Sequence, residues 1–199
     1  MENRLINIVL LGAPGSGKGT QAAFIKEKYG LDHISTGALY REEMASGSAI
    51  GLAAKQHIDN GHLCPDDMTL DILTKHILTH TESKGFILDG VPRTLQQADM
   101  MAGINYDHEI PVDLVINLDI TEEIIAERLE KRAQELNRTD DTPEVIHQRI
   151  IHYNNLTKPL IHYYEEKGVL QNVNGDQTLE CVFKDICAVI NSTLEKLAQ

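Results

Sequence analysis

A run of small residues interrupted by one lysine, Gly12-Ala13-Pro14-Gly15-Ser16-Gly17-Lys18-Gly19-Thr20, carries the clearest chemistry in this chain. Glycines let backbone N–H groups turn inward, and a helix N-terminus placed behind them adds partial positive charge. Together they cradle a phosphate, and Lys18 supplies a mobile point charge for its outer oxygens. The position after the lysine, where such loops place the Ser or Thr hydroxyl that helps hold Mg²⁺, is Gly19 here, with Thr20 next. A carboxylate elsewhere is therefore expected to take over that task. A flexible glycine turn is the competing explanation. It does not account for the apolar run Leu5 to Leu11 before the loop or the helix-like Gln21 to Tyr29 after it.

Arginine is the second set of reactive groups. Arg41, Arg93, Arg128, Arg132, Arg138 and Arg149 fall between positions 41 and 149, and none follows. A guanidinium fork grips phosphate oxygens in pairs, so this set can gather around a polyanion. Surface ion pairing is the alternative, and each such pair is worth little. Arg128 and Arg132 are four residues apart and share one helix face. With Arg138 in the polar stretch Glu135 to Thr142 and Arg149 beyond it, the pattern fits a helical hairpin able to close over phosphates.

The elements that must position these groups alternate. Short apolar runs at Asn7 to Leu11, His33 to Ser35, Phe86 to Asp89, Leu114 to Leu118 and Leu170 to Val173 predict five strands separated by helical sequence, an α/β fold with a parallel sheet. Thr121 and Thr142-Pro143-Glu144 mark helix starts, and Gly30 and Gly168 mark helix ends. The segment Leu179 to Leu197 repeats Val182, Ile186, Val189, Ile190 and Leu194 at helical spacing, which predicts packing on the sheet rather than a dimer interface. In open α/β sheets ligands bind at the carboxyl ends of the strands. Gly12 to Thr20, Thr36, Asp89 to Arg93 and the residues from Thr121 all follow such ends.

Composition narrows the partners. With 199 residues, 42% of them hydrophobic, the chain can bury one core. Its net charge of −12 argues against nucleic acid or an anionic membrane as partner and points to a small ligand. Cys64, Cys181 and Cys187 lack zinc-ribbon spacing and read as reduced, buried thiols; with no membrane span or signal peptide evident, a cytoplasmic location is expected. Nine histidines include His76 and His80 on one helix face but no third ligand beside them, so solvated surface residues are expected there.

The phosphate loop, Ile34-Ser35-Thr36-Gly37 with Arg41, Leu88-Asp89-Gly90-Val91-Pro92-Arg93-Thr94 with Gln97, then Arg128, Arg132, Arg138-Thr139-Asp140-Asp141 and Arg149, resemble adenylate kinases in order and spacing. The likeness extends to about Gly175 and implies a P-loop fold with a core of 1–34, 65–130 and 142–199. It also implies a monophosphate-binding insertion at 35–64 and a short lid at 131–141 without structural zinc. The implied reaction is reversible, Mg²⁺-dependent transfer of a phosphoryl group from ATP to AMP, giving two ADP, by a monomer. Gly15, Ser16, Gly17, Lys18, Gly19 and Thr20 would hold the ATP phosphates, Arg132 would touch them, and Arg128 and backbone near Gln177 would meet the adenine. Thr36, Arg41, the backbone of His62, Leu63 and Cys64, and Gly90, Val91, Pro92, Arg93 and Gln97 would hold AMP. Arg138 and Arg149 would bridge the reacting phosphates, and Asp89 would orient water around Mg²⁺. Thr36 together with Gln97 matches the adenine-selecting pattern. Ala38, Val91 and Asn137 depart from the family's usual Asp, Phe and Gly. A nucleotide sensor using the same pocket is the poorer alternative because it would not need every lid arginine, and a P-loop switch ATPase because it would want a hydroxyl after Lys18 and have no use for Thr36, Arg93 and Gln97.

Overall fold

The computed structural model describes residues 6–80, 82–108, 111–121, 123–125, 127–129 and 142–198, with the side chains of 104–108 left aside. Five parallel strands form one sheet in the order β2-β3-β1-β4-β5. They span Ile8–Gly12 (β1), Asp32–Ser35 (β2), Phe86–Asp89 (β3), Leu114–Asp119 (β4) and Leu170–Asn174 (β5). Each of the five expected strands is present, with ends displaced by one residue at most.

β1 is central and every residue in it is buried. Alternation along it divides the core. Ile8 and Leu10 join Ile87 and Ile116 on one face, under Ala22 and Ile25 of helix α1 (Lys18–Tyr29) and Val182, Ile186 and Ile190 of the C-terminal helix α8 (Leu179–Leu197). Val9 and Leu11 join Leu88 and Val115 on the other face. There they meet Leu70 and Leu73 of α4 (Asp66–Thr79), Ala98 and Met101 of α5 (Leu95–His108), and Leu160 and Tyr164 of α7 (Pro159–Glu166). Each such side chain contributes roughly 1.5–3 kcal/mol when fully removed from water, so the sheet is fixed from both faces. Val189 and Leu194 flank the first cluster, and α8 packs on the sheet as its periodicity predicts.

Between β2 and α4 two short helices, α2 (Thr36–Ser46) and α3 (Ala49–Ile58), form a small unit of their own. Tyr40, Ala54, Cys64 and Ile72 are its buried centre. Serines start both helices: Ser35 Oγ accepts from the Ala38 amide and Ser48 Oγ from the Gly51 amide. Thr142 does the same for α6 (Pro143–His152), accepting from the Val145 amide with proline at the first position. Gly30 and Gly168, both left-handed, follow α1 and α7 where helix ends are expected.

Cysteine and histidine placement only partly follows expectation. Cys64 and Cys187 are buried, but Cys181 is exposed, because it lies in the first turn of α8 on the face turned away from the sheet. His76 and His80 stack ring on ring with centroids 4.1 Å apart, His76 half-buried and His80 exposed. No group of three or more metal-ligating side chains occurs among the described residues. No described helix is long and apolar enough to cross a membrane.

Candidate active site

The register brings the expected groups to one sheet edge. Asp89 ends β3 opposite Leu10 of β1 on one side and Ser35 of β2 on the other. The loop after β1 therefore starts beside this carboxylate, and α2 starts on its far side. α1 begins at Lys18 with Gly17 as its cap, a residue whose φ of 96° suits glycine and which offers no side chain to the free amides of the first turn. That open, uncapped end is an anion site. Lys18 Nζ lies across the mouth, donating to Gly12 O at 2.7 Å, to Ala13 O at 2.9 Å and to Ser16 Oγ at 3.3 Å.

Gly19, where a hydroxyl is missing, faces Asp89: a Cβ there would lie 3.6 Å from Oδ2. Carboxylate and phosphate loop are thus neighbours, as the sequence reading requires of a substitute for that hydroxyl. Burial pushes the Asp89 carboxyl up, but His33, Lys18 and Arg93 outweigh it and hold the group below the usual carboxylate range. His33 Nε2 stands 3.5 Å from Oδ2, and of the three groups it is the one that lowers the carboxyl most. His33 carried no signal beyond being the second residue of β2.

The second cradle is built around one carbonyl. Thr36, only 3% exposed, donates its hydroxyl to Gly90 O at 3.0 Å, and Arg93 Nε donates to the same oxygen at 2.9 Å. Gly90 has φ 88°, and a Cβ on it would lie 2.8 Å from Thr36 Oγ1 and 2.9 Å from Arg93 Nη2, so only glycine fits. The Val91-Pro92 peptide that follows is cis. Arg93 is also held from behind. Its amide donates to Gln97 Oε1 at 2.6 Å, and its carbonyl accepts from Thr157 Oγ1 at 2.9 Å. Thr157 ends a single π-helical turn, Tyr153–Thr157, inserted between α6 and α7. Such turns often mark functional sites.

Burial pulls the Arg93 guanidinium below its ordinary value; Asp89 opposes this and Arg149 adds to it. An arginine stays charged regardless, and two cations that feel each other beside a buried position make a place suited to an anion. Cys64 belongs to the same wall. Burial raises its thiol, while Tyr40 and Arg93 draw it back. His62 and Leu63 precede it after α3, exposed and half-buried. Arg41 lies on α2 with its guanidinium over Gly37, 3.4 Å from where a Cβ there would be.

On the other side of the phosphate loop, Arg128 Nη2 donates to Gly175 O at 3.0 Å and Nη1 reaches Ser16 O at 3.5 Å. It ties the phosphate loop to the β5–α8 connection. Gln177 lies in that connection, its amide donating to Asn174 O and Asp185 Oδ2. Arg132 and Arg138, and with them the segment 131–141, lie outside the described residues. A surface pit near Leu114, Gly168 and Thr193 sits at the amino ends of β4 and β5, opposite the phosphate loop, and is no part of this site.

A parallel P-loop sheet with an open helix end after β1, an arginine-bearing loop after β3 and a carboxylate between them is the frame of a P-loop nucleotide-handling enzyme. Comparison with known proteins narrows the class. A family model described as Adenylate kinase matches residues 10–169. Adenylate kinase of Bacteroides fragilis is 43% identical over 188 residues, covering 94% of this chain and 100% of that protein. Adenylate kinase of Stenotrophomonas maltophilia is 43% identical over 185 residues, covering 93% and 99%. That of Porphyromonas gingivalis is 41% identical over 187 residues, covering 94% and 96%. The chain belongs to the adenylate kinase family and is a nucleoside monophosphate kinase.

Proposed function

We infer that this enzyme moves the terminal phosphoryl group of ATP reversibly onto AMP, giving two ADP, and that the two cradles divide the nucleotides between them. The observation that carries this is Asp89, whose charge is held by Lys18 of the phosphate loop and by Arg93 of the second cradle. One carboxylate that feels both cations supports a reading in which the two anion sites lie side by side.

On this reading Gly15 to Thr20 receive the ATP phosphates on the amides of the first turn of α1, and Lys18 exchanges its loop carbonyls for phosphate oxygens. Arg128 and the backbone near Gln177 line the ATP base. Thr36, Arg41, the backbone of His62 to Cys64 and Gly90 to Arg93 hold AMP, with Arg93 on its phosphate and Gln97 at its base. Arg149, whose charge is felt at Arg93, joins the reacting phosphates, and Arg132 and Arg138 are assigned there too.

The attacking oxygen of AMP is anionic at neutral pH, so no side chain has to remove a proton. As that oxygen bonds to the terminal phosphorus, the bond from phosphorus to the bridging oxygen breaks, and ADP leaves with the electron pair. Charge spreads over the equatorial oxygens meanwhile. Lys18, Arg93 and Arg149 meet that charge with fixed cations in an enclosed space, where such preorganisation contributes most. Asp89 suits a Mg²⁺ shell because it stays ionised beside Gly19; the ion, bound with ATP, neutralises charge on the nucleotide phosphates. Closure of the arginine-bearing segment over the pair would keep water from accepting the phosphoryl group. The 131–141 lid, the 35–64 insertion, a monomeric state and a cytoplasmic location are part of the same proposal.

A coupled assay with MgATP and AMP, UMP, CMP, GMP or water as acceptor tests it. AMP is expected to be used best by a wide margin and water hardly at all. Equal use of a pyrimidine monophosphate would overturn the acceptor assignment, and hydrolysis matching transfer would overturn the reaction.

A further inference from the structure

Gln97 is 1% exposed, and its amide is fully oriented before any nucleotide arrives. Its Nε2 donates to Asp66 Oδ1 at 2.8 Å, and its Oε1 accepts from the Arg93 amide at 2.6 Å. Both partners are chemically one-way. An ionised carboxylate can only accept and a backbone N–H can only donate. The amide of Gln97 therefore cannot turn over without losing both bonds. Asp66 is itself held, because its second oxygen accepts from Thr94 Oγ1 at 3.2 Å. Thr94 caps α5, accepting at Oγ1 from the Gln97 amide N–H at 3.0 Å. Asp66 begins α4 and thereby ties the first turns of two helices to one side chain.

We propose that Asp66 is a specificity-determining positioning residue: by fixing which end of the Gln97 amide is donor and which is acceptor, it makes the monophosphate site accept a 6-amino purine and refuse a 6-oxo purine. After its two internal bonds, Gln97 retains one N–H and one carbonyl lone pair. Adenine offers the matching pair, an N6 amino donor beside an N1 acceptor. A 6-oxo purine offers the reverse, with an acceptor at O6 beside an N1–H donor. In the same pose a 6-oxo base sets carbonyl against carbonyl and N–H against N–H. The amide is buried, so a mismatched pairing there would not be made good by water. This rests on the assignment of Gln97 to the AMP base. A purely structural role, in which Asp66 and Gln97 only brace the start of α5, predicts something different.

AMP and IMP differ at this edge alone, so the ratio of their kcat/KM values is the readout. In Asp66→Asn the new amide can present either its N–H or its carbonyl, so only the Arg93 amide still sets which way Gln97 faces. The AMP-over-IMP ratio is expected to fall at least about tenfold, on the scale of one mismatched bidentate pair, with the KM for ATP unchanged. Asp66→Glu keeps an acceptor-only partner and is expected to retain most of the preference, which preserves the test if the Asn variant folds poorly. Gln97→Ala is the control and should collapse the ratio. An unchanged ratio in Gln97→Ala removes the base assignment and the proposal with it. A collapsed ratio there with an intact one in Asp66→Asn overturns the role of Asp66 alone. Equal rises in the KM for ATP and AMP with the ratio preserved would reduce the pair to bracing, which also overturns it.

Discussion

The two anion cradles are built on different principles. The proposed ATP side is one continuous segment, Gly12 to Thr20, in which backbone amides and a helix end would do the binding and a single side chain, Lys18, closes the mouth. The proposed AMP side is pieced together from β2–α2, the loop after β3, the first turn of α4, the start of α5 and the π-helical turn, and its focus is the Gly90 carbonyl. Local geometry suffices for the first. The second exists only when five pieces of chain arrive together, so damage to it should spread through partners while damage to the first should stay in place.

Lys18→Ala is the sharpest probe of that contrast. It is expected to lower kcat by roughly 10²–10³, by analogy with losing one preorganised donor, while the melting temperature barely moves. A large fall in melting temperature would show that the ammonium braces the loop. Gly90→Ala should do the opposite. A Cβ placed at 2.8 and 2.9 Å from Thr36 and Arg93 must displace both, on a backbone with φ 88°. The expected stability loss is about 1–3 kcal/mol from the backbone strain, with a marked rise in the KM for AMP and little change in that for ATP. Denaturant melts and steady-state kinetics report both, and equal changes in the two KM values would erase the separation between cradles.

Thr157→Val is a milder test of the same idea. It removes the hydroxyl that holds the Arg93 carbonyl from α6–α7 and should cost on the order of 1 kcal/mol of stability. Calorimetric titration should show AMP affinity reduced and ATP affinity kept. The smallest expected effect lies at the end of α6. Burial, aided by the nearby His62, holds the His152 imidazole below its ordinary value. The folded protein thus keeps His152 neutral at a pH where the unfolded chain already binds a proton. Stability must fall as the pH drops through the unfolded value of about 6.5, and it stops falling once the folded form also protonates. His152→Gln should flatten the melting temperature between about pH 7 and 5.5. An unaltered slope would assign that dependence to other groups.

Legibility in the sequence followed the same division. The inner strands β1, β3 and β4, the helix stops at Gly30 and Gly168 and the start at Thr142 were readable because burial on both faces and backbone punctuation are local signals. Gln97 was readable only through family likeness, and Asp66, Thr157 and His33 were not readable at all. Each of them acts on a residue distant in the chain, across 31, 64 and 56 positions respectively. Cys181 shows the limit from the other side. Composition favours burial for cysteine, yet its phase on α8 leaves it exposed.

The chain's residue order by itself determined an open helix start behind a glycine loop after the first strand, since glycine torsions, a following helix and one lysine act within a few residues of each other. Which carboxylate stands beside Gly19, which oxygen Thr36 and Arg93 share and which way the Gln97 amide faces were decided by the parallel register of β1, β2 and β3 and by the packing of α4 against α5. Hydrogen bonds are directional and short, and whether two distant groups fall within 3 Å is a property of the assembled sheet and helices alone.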